Sequence, residues 1–252
     1  MNNPTKNRIK RCFNKAWRSY DNYASVQKKV CEKSIEILNQ LNREFTVVAD
    51  FACGTGISTQ YLINNVRHKK IYAIDFSEKL INVARRKLGC DSAEYILADF
   101  DSLLFPEKTV DMIFCNMGLQ WSLNLKKTLT VFNSYLKESG ILIFSIPLQG
   151  TFVEIKKSSK NKLHCAHDIE GMLELMSLSL LQYHHAIYVE KFSAQTEAVR
   201  SIKSVGANCL MLENKTRRLS SFSKKNTEIF VSKENVSLTY QVGIFMAEKT
   251  KE

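Results

Sequence analysis

Long apolar runs, paired cysteines and prolines are all in short supply in this chain of 252 residues, and each shortage excludes something. No apolar stretch reaches the roughly 18 residues that a membrane-spanning helix needs. The N-terminus is basic and polar and lacks an apolar signal core, so a cytoplasmic protein is expected. Seven cysteines (12, 31, 53, 90, 115, 165 and 209) form an odd set with no C-x-x-C pair. That excludes a disulfide framework and points to reduced, packed thiols. The tetrad His164-Cys165-Ala166-His167 has no second ligand cluster behind it, so no metal is expected. Ser/His/Asp and Cys/His arrangements are missing too, which leaves covalent catalysis without support.

Charge of one sign is also scarce. Asp and Glu number 25 against 36 Lys and Arg, a net +11. Basic residues gather at Lys6, Arg8, Lys10, Arg11, Lys15 and Arg18. They recur at Lys156, Lys157, Lys160 and Lys162, then at Lys215, Arg217, Arg218, Lys224 and Lys225. Such a surface attracts nucleic acid, anionic membranes or an acidic protein, and it is also compatible with solvated charge alone.

What is present is an alternation of apolar strands and helices. Apolar positions such as Ile9, Phe13, Ala16, Trp17 and Tyr20 predict a helix from residue 5, followed by a second over Val26 to Leu41. Strands are predicted at 46–51, 70–74, 94–98, 109–115 and 140–146, with helices near 57–65, 77–88 and 124–137. Gly140 opens the fifth strand and Pro147 closes it. Further strands are predicted at 186–193 and 236–248, the last pairing antiparallel. The pattern calls for one α/β domain with a mostly parallel sheet covered on both faces. Residues 1–45 form N-terminal helices over the site, 46–147 a cofactor-binding core, 148–235 cover insertions and a sixth strand, and 236–248 the final strand. The segments 148–185 and 194–235 are expected to cover the C-terminal edge of the sheet, where ligands bind in such folds.

Residues Val47 to Gly56 (VVADFACGTG) carry the clearest functional signal. A buried-strand pattern ends in Asp50, then a turn with bare Gly54 and Gly56 lets the backbone approach a ligand closely. Asp75 ends the next apolar run 25 residues after Asp50 and is placed to take both hydroxyls of a ribose. The third glycine of a dinucleotide fingerprint is replaced by Thr59, and no Gly-Lys-Ser/Thr phosphate loop exists. A nucleoside cofactor without phosphates fits, namely S-adenosylmethionine. Asp50 would face its ammonium, directly or through water, with Ala52, Gly54, Gly56 and Phe76 around it. Asp99 and Phe100, after the third strand, suit the adenine amine and ring.

The fourth strand ends in Asn116-Met117-Gly118-Leu119-Gln120-Trp121, beside the expected position of the methyl. The Asp/Asn-Pro-Pro-aromatic motif of base-amino methylation is absent, and none of Pro4, Pro106 and Pro147 precedes a cysteine as cytosine-C5 chemistry needs. Both base-modifying chemistries lose support.

Across nearly its whole length the chain resembles the malonyl-acyl-carrier-protein O-methyltransferase family of early biotin synthesis. The matching segments are FNKAWRSYDNYA (13–24), the glycine turn, Ala98-Asp99, NMGLQW (116–121), SIPLQGTF (145–152), SIKSVGA (201–207) and Leu238-Thr239-Tyr240. Ala52, where many relatives of this class have glycine, and the missing proline of Glu138-Ser139-Gly140 are departures. The resemblance implies a class I methyltransferase fold of seven strands and methylation of the free carboxylate of a malonyl thioester. Tyr20 would close over the methyl site, with Asn116, Gln120 and Trp121 opposite. Arg200 would clamp the carboxylate, orienting it more than activating it. The partner would be an acidic acyl carrier protein, and a monomer is the default state. Rival readings are a methyltransferase for another small carboxylate, such as trans-aconitate, or for a quinone precursor; an RNA-binding or RNA-modifying protein; and a non-catalytic cofactor-binding regulator.

Overall fold

The computed structural model of the chain describes residues 3–156, 163–209, 230 and 236–250. Three N-terminal helices, α1 (Pro4–Ala16), α2 (Tyr20–Tyr23) and α3 (Ser25–Asn39), precede the sheet. Then come β1 (Phe45–Phe51), α4 (Ile57–Asn65), β2 (His68–Asp75), α5 (Glu78–Leu88), β3 (Glu94–Leu97) and β4 (Val110–Asn116). A 3-10 turn at Leu119–Trp121 leads to α6 (Leu125–Tyr135), β5 (Leu136–Pro147), α7 (Ala166–Glu174), β6 (Leu178–Lys191), α8 (Gln195–Ser204) and β7 (Ser237–Lys249).

The strands form one seven-stranded sheet in the order β3-β2-β1-β4-β5-β7-β6. All pairings from β3 to β5 are parallel, while β7 runs antiparallel to both β5 and β6. Strand order reverses between β1 and β4, and the crevice at such a switch point is where ligands lie in open α/β sheets.

Alternation sorts the core onto two faces. Val48, Met112, Phe114, Ile141 and Ile143 turn toward α3, including its Val30 and Leu38. Ala49, Phe51, Ile113, Leu142 and Phe144 turn toward Leu129 and Phe132 of α6 and Ile169 and Leu173 of α7. The amphipathic α5 is capped by Ser77, whose Oγ accepts from the Leu80 amide at 3.3 Å, and carries Arg85, Arg86 and Lys87 in its last turn. Both features favour a helix at that position.

The structure departs from the sequence reading in three places. β5 starts at Leu136, inside the expected helix, because the register shifts between Val110 and Met112 of its partner and Ser139 takes a positive φ of 59°. β6 starts at Leu178 instead of 186, since a register shift between Leu180 and Gln182 breaks the period-two pattern that marks a strand. α7, expected in the cover, instead packs on a face of the sheet through Ile169 and Leu173. Parts of the expected cover and the basic residues Lys157, Lys160, Lys162, Lys215, Arg217, Arg218, Lys224 and Lys225 lie outside the described residues.

Candidate active site

Asp50 stands one residue from the end of β1 and is fully buried. Its Oδ2 accepts from Ser58 Oγ at 2.7 Å and Thr59 Oγ1 at 2.6 Å, both in the first turn of α4. Oδ1 is a buried acceptor with no partner. Burial pushes this carboxyl up to about 7, against the opposing donation from Thr59 and Ser58. Thr59 occupies the position of the missing third glycine, and its hydroxyl gives that replacement a use.

The turn after β1 is built from left-handed residues: Ala52 at φ 58°, Gly54 at φ 57° and Gly56 at φ 81°. A Cβ on Gly56 would lie 2.9 Å from Leu88 Cδ1 and 3.0 Å from Ala84 Cβ, so glycine here lets α5 close against the turn. A Cβ on Gly54 would meet only Tyr20 Cζ and Oη, both at 4.0 Å. The phenol of α2 therefore stands directly over the bare part of the turn. Asp21 fastens it there, accepting from Thr55 Oγ1 at 2.5 Å and pairing with Lys87 at 3.3 Å.

Asp75 closes β2, and its Oδ2 accepts from the Gly54 amide at 2.9 Å while Oδ1 accepts from the Ser77 amide at 2.7 Å. Burial pushes its carboxyl up to about 6, and the two amides hold it down. Each oxygen keeps acceptor capacity beyond its single amide. Tyr20 is pushed above the ordinary phenol range, first by burial, then by the charges of Asp75 and Asp21. It is therefore a neutral hydrogen-bond donor.

Asp99 Oδ1 accepts from the Asp101 amide at 3.0 Å and from Lys6 Nζ at 2.9 Å. Phe100 is buried and meets the Phe132 ring edge-on, ring centres 6.3 Å apart. Phe76 packs against Phe13 of α1, ring centres 5.8 Å apart.

At the end of β4, Asn116 is engaged at both ends: Nδ2 donates to the Gln27 carbonyl at 3.0 Å and Oδ1 accepts from Ser145 Oγ at 2.8 Å. It ties β4 to α3 and β5. Gln120 donates from Nε2 to the Met117 carbonyl at 2.6 Å, leaving Oε1 buried without a partner. Trp121 is buried and meets Phe13 edge-on at 5.5 Å, within the apolar cluster beneath α1.

Arg200, the expected clamp, lies on the exposed side of α8. α8 buries Ala198, Ser201 and Ile202, and a residue two positions from Ala198 falls on the opposite side of a helix. Arg200 is exposed there, beside Glu197, and makes no hydrogen bond or ion pair with a described residue. Lys6, Asn14, Asp21, Ser58, Ser77 and Asp101 were not legible as site residues. Ser77 is visible as a helix cap; Lys6 and Asn14 act across the fold and leave no local pattern.

These groups fit S-adenosylmethionine. Asp50 Oδ1 is an orphaned buried acceptor suited to an ammonium, Asp75 retains capacity for ribose hydroxyls, and the turn at Gly54 is open to close approach. Fold and site together define a class I methyltransferase whose cofactor is S-adenosylmethionine. A family model described as a methyltransferase domain matches residues 49–144. Malonyl-[acyl-carrier protein] O-methyltransferase 2 of Coxiella burnetii is 41% identical over 251 residues, covering 99% of this chain and 98% of that protein. The enzyme of that name from Bacillus anthracis is 30% identical over 221 residues, 80% of this chain and 81% of the other. A solved structure described as a putative methyltransferase of Bacillus halodurans superimposes with a TM-score of 0.64 at 18% identity, covering 86% of this chain and 99% of that one. The chain belongs to the malonyl-[acyl-carrier protein] O-methyltransferase family.

Proposed function

We propose that the protein methylates the free carboxylate of a malonyl thioester on an acyl carrier protein, forming the methyl ester that begins biotin synthesis. The observation that carries this is full-length kinship with enzymes named for that reaction, joined to a donor site whose acids are engaged in holding the glycine turn. S-adenosylmethionine supplies an electrophilic methyl group when bound. Asp75 would hold the ribose, Asp50 the ammonium and Asp99 the adenine amine, with Phe76 against the ring. A malonyl carboxylate is already ionised at neutral pH, so the protein needs to align and dehydrate it instead of removing a proton. Neutral Tyr20, held over Gly54, is suited to donate to that carboxylate. Gln120 and Trp121 would bound the methyl site, and Asn116 would fix the loop that carries them. Arg200, exposed on α8, is assigned to receive and orient the incoming carboxylate.

Two basic clefts flank α1. One, of about 280 Å³, is lined by Arg11, Lys15, Ser19, Lys203 and Ser204. The other, of about 360 Å³, is lined by Trp17, Lys79, Asn82, Arg85 and Arg86. An acidic carrier would be steered to such a surface and oriented by it. The test is incubation with malonyl-carrier protein and S-adenosylmethionine, read by intact mass. A single added methyl on the malonyl group, lost on ester hydrolysis, is expected. Methylation of trans-aconitate or a quinone precursor without that product would overturn the assignment.

A further inference from the structure

Lys6 is a cation buried in the middle of the nucleoside site, and the reaction as described does not use it. It lies in the first turn of α1, and its side chain is 7% exposed. Burying an ammonium is costly unless it is paired and hydrogen-bonded. Here the pairing is double. Nζ lies 2.9 Å from Asp99 Oδ1 and 2.8 Å from Asp101 Oδ2, and 4.3 Å above the centre of the Phe100 ring. The Phe76 ring centre is 5.7 Å away. Thus the ammonium touches or faces every group assigned above to the adenine: the acid that would accept its amine and both rings beside it.

The two acids have different duties. Asp101 is a structural junction: its Oδ1 accepts from Thr128 Oγ1 at 2.6 Å and Ser122 Oγ at 3.0 Å, and its Oδ2 from the Leu123 amide at 2.9 Å. It thereby joins the loop after β3 to the segment that follows Gln120 and Trp121. Burial acts upward on the Asp101 carboxyl, but the Lys6 charge together with hydrogen bonds from Lys6, Thr128 and the Leu123 amide holds it below the usual range. Asp99 is not tied down in this way. Among the described residues only its Oδ1 is engaged, by Lys6 and the Asp101 amide. Oδ2 is left over.

The remainder of α1 lies over the same site. Asn14 Oδ1 accepts from Ser77 Oγ at 2.7 Å, and Phe13 packs between Phe76 and Trp121. Among the described residues the helix is held to the nucleoside end by the double ion pair of Lys6, by Asn14 Oδ1 accepting from Ser77 Oγ and the Lys79 amide, and by the aromatic cluster of Phe13.

We propose that Lys6 is a cofactor-positioning residue. By holding Asp99 Oδ1 it presents Oδ2 to the exocyclic amine of the adenine, and by bridging α1 to the Asp99–Asp101 loop it latches the helix over the bound nucleoside. The proposal rests on the assignment of Asp99 to the adenine. It predicts two linked effects of Lys6 that packing alone would not produce: base discrimination and slow cofactor release. A charge-assisted hydrogen bond is worth about 1.5–3 kcal/mol, so its misalignment should cost roughly ten- to a hundredfold in affinity.

The test measures binding of S-adenosylhomocysteine and of its inosine analogue, which has a carbonyl in place of the amine. Wild type, K6M, K6R and D99N are compared, after melts without ligand establish that each is folded. Wild type should prefer the adenine ligand by about tenfold or more. K6M should bind it about tenfold more weakly, lose most of the preference and release it faster in stopped flow. K6R should recover much of the preference. Should K6M keep the preference, or bind the adenine ligand more tightly because Lys6 merely fills the site, the proposal is overturned. D99N separates the two layers. If it binds both ligands as wild type does, the adenine assignment itself fails. If it loses the preference while K6M retains it, only the role of Lys6 fails.

Discussion

The methyl of Ala52 fills the space that a side chain on residue 118 would need: a Cβ on Gly118 would stand 2.6 Å from Ala52 Cβ and 2.9 Å from Cys115 Sγ. Two segments some way apart in sequence, the turn after β1 and the loop after β4, are thus matched atom to atom. Ala52 is itself in the left-handed region at φ 58°, where an L residue is strained. Overpacking costs about 1–3 kcal/mol, so Gly118→Ala should destabilise the fold by that amount. Ala52→Gly should offset part of the loss, with a coupling of about 1 kcal/mol in a double-mutant cycle by urea unfolding. Strict additivity would show that the two sites do not share this space.

Asp50 and Asp75 make the stability of the fold sensitive to pH in a defined direction. Burial raises them from 3.8 to about 7 and about 6. The folded protein therefore binds these protons more tightly than the unfolded chain. Their stabilising contribution is fully present below about pH 4 and is lost as pH rises through about 6 to 7. An ammonium beside Asp50 and hydroxyls on Asp75 favour the ionised forms. Cofactor affinity should accordingly rise across the same interval, with proton release. Calorimetry in buffers of differing ionisation enthalpy checks this, and proton uptake would contradict it.

Removing Asp75 should affect both the cofactor and its turn. Asp75→Ala deletes the acceptor of the Gly54 and Ser77 amides along with the expected ribose contacts. Binding of S-adenosylhomocysteine should weaken about tenfold or more, since each charge-assisted bond contributes about 1.5–3 kcal/mol. Normal binding would remove Asp75 from the site.

Arg200 is tested by separating the two substrates. Arg200→Ala should leave binding of S-adenosylhomocysteine unchanged, because Arg200 is exposed on α8 and is not among the residues assigned to the donor, and should lower turnover of malonyl-carrier protein. Unchanged turnover would end its assignment.

The proposed docking at the basic clefts concerns the partner and not the chemistry. Lys15→Glu with Lys203→Glu should raise KM for malonyl-carrier protein and leave KM for a small malonyl thioester alone. Rising salt should weaken the wild-type association in the same way. A salt-independent KM would argue for docking elsewhere.

Much of this was readable along the chain. Asp50, the glycine turn and Asp75 are local features, because a buried strand, the acid that ends it and the turn that follows are contiguous. Segments such as NMGLQW carried the resemblance to a family, and a relative 41% identical bears that family's name. Bulges were not readable: the irregular registers near Ser139 and Leu180 depend on the partner strand and interrupt the very pattern used to find strands. That Arg200 lies on the exposed side of α8 was not readable either, because a motif specifies a position on a helix without its direction.

By itself, then, the order of residues determined the α/β alternation, the donor turn and the kind of cofactor, since these follow from hydrophobic period and backbone freedom over a few neighbouring residues. Only the tertiary structure decided that Lys6 meets Asp99, that Tyr20 stands over Gly54 and that Ala52 fits against Gly118. Those contacts join residues separated by tens of positions, and packing in three dimensions is what brings them within reach.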